Sequence, residues 1–329
     1  MGNAMSVVGR RIFVIAAGLL LAAAHAVAAQ EARVYQVGVV VLGGRYLEAI
    51  DGLRHGLRDL GLEEGKQCVL HVRDLNGNRD LVESAARDLE RENVDIIYSV
   101  TTSVTIAVKR ATKNVPVVFY AGSDPVRFGL VQSLGNPGGR LTGIHSRITS
   151  LMAKRLQLLK EMIPSIQRVA YFYDLRNPLA QKVTRAQRDA ARHLDIQLVE
   201  RPVNSVEALR ASLDSLKPEE ADAVAYVDSL VVSQTGMVIE AARAKRLATM
   251  VPDSASVGKG ALVSYGVSYY EAGRLAAKPV QRILGGDNPS DIPVEQIDRL
   301  DLFINLGTAK ALGLTIPQSV LLRANRVIE

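Results

Sequence analysis

The chain is poor in the residues that most chemistries need. It has one cysteine, Cys68, in 329 residues, so no intramolecular disulfide can form and stability must come from a packed core. Cys68 lies in the strand-like run QCVLHV and reads as a small buried hydrophobe. Tryptophan is absent and aromatic residues make up 5%. The formal charge of +6 comes from dispersed lysines and arginines. A nucleic-acid surface needs a basic stripe with stacking aromatics, so nucleic acid is not an expected partner. His25, His55, His71, His145 and His193 stand far apart, and no pair has metal-ligand spacing. No G-x-S-x-G surrounds a serine. GLEEGKQ is one residue short of a phosphate loop and has Gln where Ser or Thr is required. No G-x-G-x-x-G opens a helix after a strand, and GNPGGR precedes a strand, so its glycines read as a turn. No metal and no cofactor is expected, and nothing in these patterns argues for an enzyme.

Residues 1–29 have the layout of a secretory signal peptide. Arg10 and Arg11 precede an uncharged apolar run from Ile12 to Leu21, and Ala26-Val27-Ala28 offers a cleavage signal after Ala28 or Ala29. The alternative is an uncleaved membrane anchor, but the strongly apolar stretch is short for a span. No cysteine follows that could carry a lipid. The expected mature protein is free and extracytoplasmic, with a charge of +4 once the two arginines leave. That charge is a solvated surface with a weak bias towards anions.

What is present is globular. Apolar residues make up 48% and charged residues 22%, in a chain long enough for two domains. From Tyr35 onward, short apolar β-branched runs alternate with stretches of helical periodicity. YQVGVVVL is a strand, and Leu47, Ile50, Leu53, Leu57 and Leu60 then mark a helix that Gly61 stops. QCVLHVRD, DIIYSV, VPVVFY and RLTGIHS are further strands with helices between the earlier ones. A second series follows, with strands RVAYFYD, IQLVERPV, DAVAYVD, ATMVPD and GALVSYG. Helices are expected over Ile148–Met162, Pro178–Leu194, Val206–Leu216, Ser233–Leu247 and Tyr269–Leu284. This is an α/β pattern: two Rossmann-like lobes, each a parallel sheet flanked by helices. No low-complexity tether joins them, and the likeness of the halves is architectural, without a residue-level repeat.

In such sheets ligands bind beyond the carboxyl ends of the strands, where helix N-termini present unpaired N–H groups. The residues after each strand are therefore the candidates. In lobe one these are Gly43-Gly44-Arg45, Thr101-Thr102-Ser103 and Ser123-Asp124-Pro125. In lobe two they are Asp174 to Asn177, Asp228-Ser229 and Asp253-Ser254. Glycines at 43 and 44 permit close backbone approach, and Arg45 either pairs with a ligand carboxylate or lies on the surface. One cap suffices for a helix, so Thr102 and Ser103 divide between capping and ligand contact. Asp124 and Asn177, each before a proline, read first as caps. Asp228 follows a buried strand alone and needs a partner, for which a cationic ligand group qualifies.

SDPVRFGLVQSLGNPGGRLTGI, from Ser123 to Ile144, resembles the DPV…LV…L..PGGN.TG signature of a family of ABC-transporter substrate-binding proteins, which includes tryptophan- and tyrosine-uptake types. The ending INLGTAKALGLTIPQSVLLRANRVIE resembles that family's A..LG..IP.S.L..A..VI, and PVEQIDRLDLFIN fits upstream. The resemblance runs from Tyr35 to Glu329. It implies a type I periplasmic-binding fold, hinged around a central cleft, with crossings near residues 147, 268 and 293. Lobe one would hold 34–146 and 268–292, and lobe two 147–267 and 293–329. Carried over, Thr102, Ser103 and Ser123 would face the cleft from lobe one, and Asn177, Asp228 and Ser254 from lobe two. Gly44, Arg45 and Asp124 complete the expected ligand set. Gly43-Gly44-Arg45 departs from the His- and Pro-containing segment of the aromatic-amino-acid binders, which leaves the solute open. The implied role is solute capture, as a monomer in the periplasm, for a permease powered by a cytoplasmic ATPase. The alternatives are a periplasmic sensor read by a membrane receptor, a secreted enzyme on a flavodoxin-like sheet, and a repressor's effector domain. The signal peptide, and the lack of a helix-turn-helix before Tyr35, oppose the last.

Overall fold

The structure, a computed structural model, describes residues 33–147, 151–177 and 180–329. The expected signal peptide lies outside the described residues, as do Ile148 and Pro178, where two helices were expected to start. Lobe one opens with β1 (Tyr35–Val41), α1 (Leu47–Asp59), β2 (Cys68–Asp74), α2 (Val82–Arg91), β3 (Ile96–Val100), α3 (Thr102–Ala111), β4 (Val117–Ala121) and β5 (Leu141–His145). Lobe two follows with α4 (Met152–Met162), β6 (Arg168–Asp174), α5 (Ala180–His193), β7 (Gln197–Val203), α6 (Val206–Ser215), β8 (Ala223–Tyr226), α7 (Ser229–Ser233), α8 (Thr235–Ala244), β9 (Ala248–Asp253) and β10 (Val263–Val267). The chain then returns through α9 (Tyr269–Leu284) and β11 (Glu295–Gln296). It ends with β12 (Asp301–Asn305), α10 (Leu306–Leu312), α11 (Gln318–Leu321) and β13 (Arg326–Ile328).

The first sheet has the order β11-β5-β4-β3-β1-β2, and its pairs are all parallel. The second has the order β13-β12-β10-β9-β8-β6-β7, with β12 antiparallel to β10. Strands buried on both faces need continuous apolar runs, and β3 and β4 are buried at every position. In β6 the period of two is visible: Val169, Tyr171 and Tyr173 join one core, and Ala170 and Phe172 the other.

The helix expected over Ser233–Leu247 is α8, Thr235–Ala244, and the short helix α7, Ser229–Ser233, precedes it as an element that was not expected. Beyond α9, Glu295 and Gln296 pair with Ile144 and His145 of β5, and β12 from Asp301 belongs to the second sheet.

Helix α9 is fastened to lobe one by backbone contact with α1. A Cβ added at Gly52 would lie 1.9 Å from the Tyr270 carbonyl oxygen, and one at Gly273 would lie 1.9 Å from that of Ala49. Only glycine allows this approach. Gly52→Ala is therefore expected to destabilise the protein by about 1–3 kcal/mol through overpacking, despite alanine's better helix propensity. Urea unfolding measures this, and a change within about 0.5 kcal/mol would contradict the backbone contact.

Candidate functional site

The carboxyl ends of the two sheets face each other across a cleft. Lobe one lines it with Tyr46, Thr101, Thr102, Ser103, Tyr120, Gly122, Ser123 and Tyr269. Lobe two contributes Tyr171, Tyr173, Asn177, Val183, Val227, Asp228, Ser229 and Pro252.

On the lobe one side, the turn from β3 into α3 is held in an uncommon conformation. Thr101 has a φ of 91°, a costly value for a β-branched residue. Its hydroxyl accepts from the Val104 N–H at 3.3 Å and so caps α3. With that cap in place, Thr102 and Ser103 turn elsewhere. Thr102 Oγ1 accepts from the Ser123 N–H at 3.2 Å, tying the ends of β3 and β4 together. Ser103 Oγ lies 3.0 Å from Ser229 Oγ of lobe two. The result is a hydroxyl-rich wall at the N-terminus of a helix, an arrangement that favours an anionic group.

On the lobe two side, three aspartates stand at the carboxyl ends of adjacent strands β6, β8 and β9. Asp174 is fully buried, and its Oδ2 accepts from Arg79 Nη1 at 2.7 Å. Asp253 is 1% exposed, and its Oδ1 accepts from Arg45 Nε at 3.0 Å. Asp228, between them, caps α7 by accepting from the Leu230 N–H at 2.9 Å, and its Oδ2 accepts from Asn177 Nδ2 at 2.7 Å. Among the described residues, no lysine or arginine forms an ion pair with Asp228. Burial pushes its carboxyl above the usual range, outweighing the Asn177 hydrogen bond and the field of Arg79.

Thr102, Ser103, Ser123, Asn177 and Asp228, all expected in the site, thus meet in one cleft. Gly44, Arg45, Asp124 and Ser254 stand outside its lining. Arg45 is not a surface residue: it is buried against Asp253 and also pairs with Glu48. Gly44 packs on lobe two, where a Cβ would lie 1.8 Å from the Ser233 carbonyl oxygen. Asp124 caps its own turn, accepting from the Val126 N–H at 2.9 Å. Ser254 is buried and its carbonyl accepts from the Val257 N–H at 3.3 Å.

The sequence reading missed the tyrosines. Tyr46 and Tyr269 have ring centroids 4.9 Å apart, Tyr269 and Tyr120 6.0 Å, and Tyr171 and Tyr173 stack at 5.5 Å. Two signals were available: the i, i+2 pair in RVAYFYD, and Tyr269 opening a helix directly after a strand. Beneath them lies Arg155, fully buried, whose Nε donates to the Tyr265 carbonyl at 2.8 Å. Burial lowers the guanidinium pKa to about 10, partly opposed by Tyr269 and Tyr120, so it remains cationic at neutral pH.

Burial raises the phenol pKa of Tyr46, Tyr171 and Tyr269, and moves that of Tyr120 up to about 12. A raised folded value keeps this stability intact below the free-tyrosine pKa of about 10 and removes it as pH rises towards the folded values. Alkaline titration of phenolate absorbance should show these tyrosines ionising only as the protein unfolds. Complete ionisation near about pH 11 with the circular dichroism unchanged would contradict their burial.

Residues 35–328 match the family model described as ABC transporter substrate binding protein. The chain is 26% identical over 267 residues to a tyrosine-binding protein of Clostridioides difficile, covering 81% of this chain and 77% of that one. A conserved domain protein from Vibrio cholerae superposes with a TM-score of 0.81 at 29% identity, covering 90% of this chain and all of that one. An ABC domain in complex with L-Trp from Streptococcus pneumonia superposes with a TM-score of 0.79 at 22% identity, over 90% of this chain and 100% of that one. The fold is the type I periplasmic-binding fold. A family match across nearly all of the described residues, on two α/β lobes that face across a cleft, places the chain in the ABC transporter substrate-binding protein family.

Proposed function

We propose that this protein captures a small zwitterion, an amino acid with a neutral side chain, by closure of its lobes and delivers it to an ABC-type permease driven by a cytoplasmic ATPase. The observation that carries the reading is Asp228: a buried carboxylate that lines the cleft and forms no ion pair with a lysine or arginine among the described residues. A solute ammonium supplies the cation. The Thr102, Ser103 and Ser123 wall takes the solute carboxylate, and the tyrosines flank its side chain. The relatives named for tyrosine and bound to L-Trp support an amino acid of this kind.

Contacts from both lobes favour the closed arrangement, so binding and closure are one equilibrium. The moving bodies are the first sheet with α9, and the second sheet with its helices. No bond is made or broken in the solute. Among the described residues no helix is long and apolar enough to cross a membrane. The reading places the mature chain in the periplasm as a monomer, released there by cleavage of residues 1–29.

A thermal-shift screen of amino acids and small carboxylates, with mass spectrometry of any co-purified solute, tests the class. One or a few neutral amino acids should raise the melting temperature and be recovered unchanged. Asp228→Ala is expected to keep the fold and weaken binding by on the order of 100-fold or more in calorimetry, the cost of losing a buried charge partner. Affinity should also fall on acidification. Only the ionised carboxyl pairs with ammonium, and its raised pKa starts the loss above the ordinary aspartate value of about 3.9. Affinity within a few-fold of the parent in Asp228→Ala would remove the assigned role.

A further inference from the structure

The three aspartates of lobe two share a construction that extends beyond the cleft. Each is fixed by its own lobe: Asp174 Oδ1 accepts from the Arg176 N–H at 2.8 Å, Asp228 Oδ1 from the Leu230 N–H at 2.9 Å, and Asp253 Oδ1 from the Ser256 N–H at 3.0 Å. Ser256 Oγ adds a second hydrogen bond to Asp253 at 2.7 Å. These bonds do not depend on lobe one, so the carboxylates stay in position when the lobes part. The cations that meet the outer two come from lobe one, Arg45 from the segment after β1 and Arg79 from the segment after β2. Strands β1 and β2 are neighbours in the first sheet. Two arginines from one edge therefore face the outer members of a row of three carboxylates.

We propose that the Arg45–Asp253 and Arg79–Asp174 pairs are interlobe latches that set solute affinity without touching the solute. Neither arginine lines the cleft. Opening separates both pairs into water, and closing restores them against carboxylates already in place. The latches therefore bias the open–closed equilibrium, and through it the apparent affinity for every solute by the same factor. Taken together with the proposed solute binding, the solute's cation on Asp228 makes the third ion pair in the same row. Asp80 and Arg176 also bridge the lobes at 2.9 Å, but Asp80 is largely exposed, so solvent screens that pair.

The test uses the full chain without solute, so it can fail independently of the solute-binding reading. Cys68 is buried, which leaves surface cysteines free for selective labelling. Dyes at Arg87→Cys on α2 and Arg210→Cys on α6 report the interlobe distance by single-molecule energy transfer. The parent should populate a short-distance state without solute. Arg45→Met with Arg79→Met should reduce that population roughly threefold or more. Asp174→Asn with Asp253→Asn keeps the local N–H acceptors but removes the charges, and should open the lobes equally. This second pair keeps the proposal testable if the arginine variants fold poorly. Equal populations in the parent and the Asn pair, or no short-distance state in the parent, would overturn the latch.

Discussion

A carboxylate buried without a cation is one of the most expensive things a protein can contain. Lobe two buries three in a row, and the relation between the lobes follows from how each is satisfied. Asp174 and Asp253 are met by arginines from the opposite lobe, and Asp228 by an asparagine of its own lobe. The position without an ion pair among the described residues lines the cleft. Its surroundings sharpen the need, because tyrosines and a nearby valine exclude the water that would otherwise solvate the charge.

The fold makes this row possible. Parallel strands deliver their carboxyl ends to one edge, so adjacent strands β6, β8 and β9 place chemically similar residues side by side. The opposing edge is the carboxyl end of the first sheet, where α3 begins behind the strained Thr101. A conformation costing roughly 1–3 kcal/mol persists there because Thr101 also donates its N–H to the Tyr120 carbonyl and accepts from Thr105. These hydrogen bonds, with the Thr102–Ser123 bond, hold the hydroxyl wall in place. Glycine at position 44 is likewise a matter of approach, since the backbone of lobe two occupies the space of a side chain.

Much of this was legible in the sequence because short apolar runs and helical periodicity are local signals. The strand–helix alternation, the polar clusters after β3 and β4, and the isolation of Asp228 could all be read without knowing what lay across the cleft. Arg45 could not. Its position after β1 marked it as near the cleft, but its partner Asp253 lies 208 residues away, and no local pattern says which lobe an arginine turns towards. Asp174 and Arg79 are separated by 95 residues for the same reason. The tyrosines escaped because a modest overall aromatic content hid their convergence from separate strands and helices. Strand β11 is two residues long and carries too little pattern to register as a strand.

The account stands on one claim: the solute brings the positive charge that pairs with Asp228. Calorimetry on the parent protein with L-tyrosine and its des-amino analogue, and with the same pairing for each amino acid that shifts the melting temperature, tests it most directly. The account predicts that each recognised amino acid binds and that its des-amino partner, alike in every other group, does not bind measurably. Comparable affinity for an amino acid and its des-amino partner would contradict it.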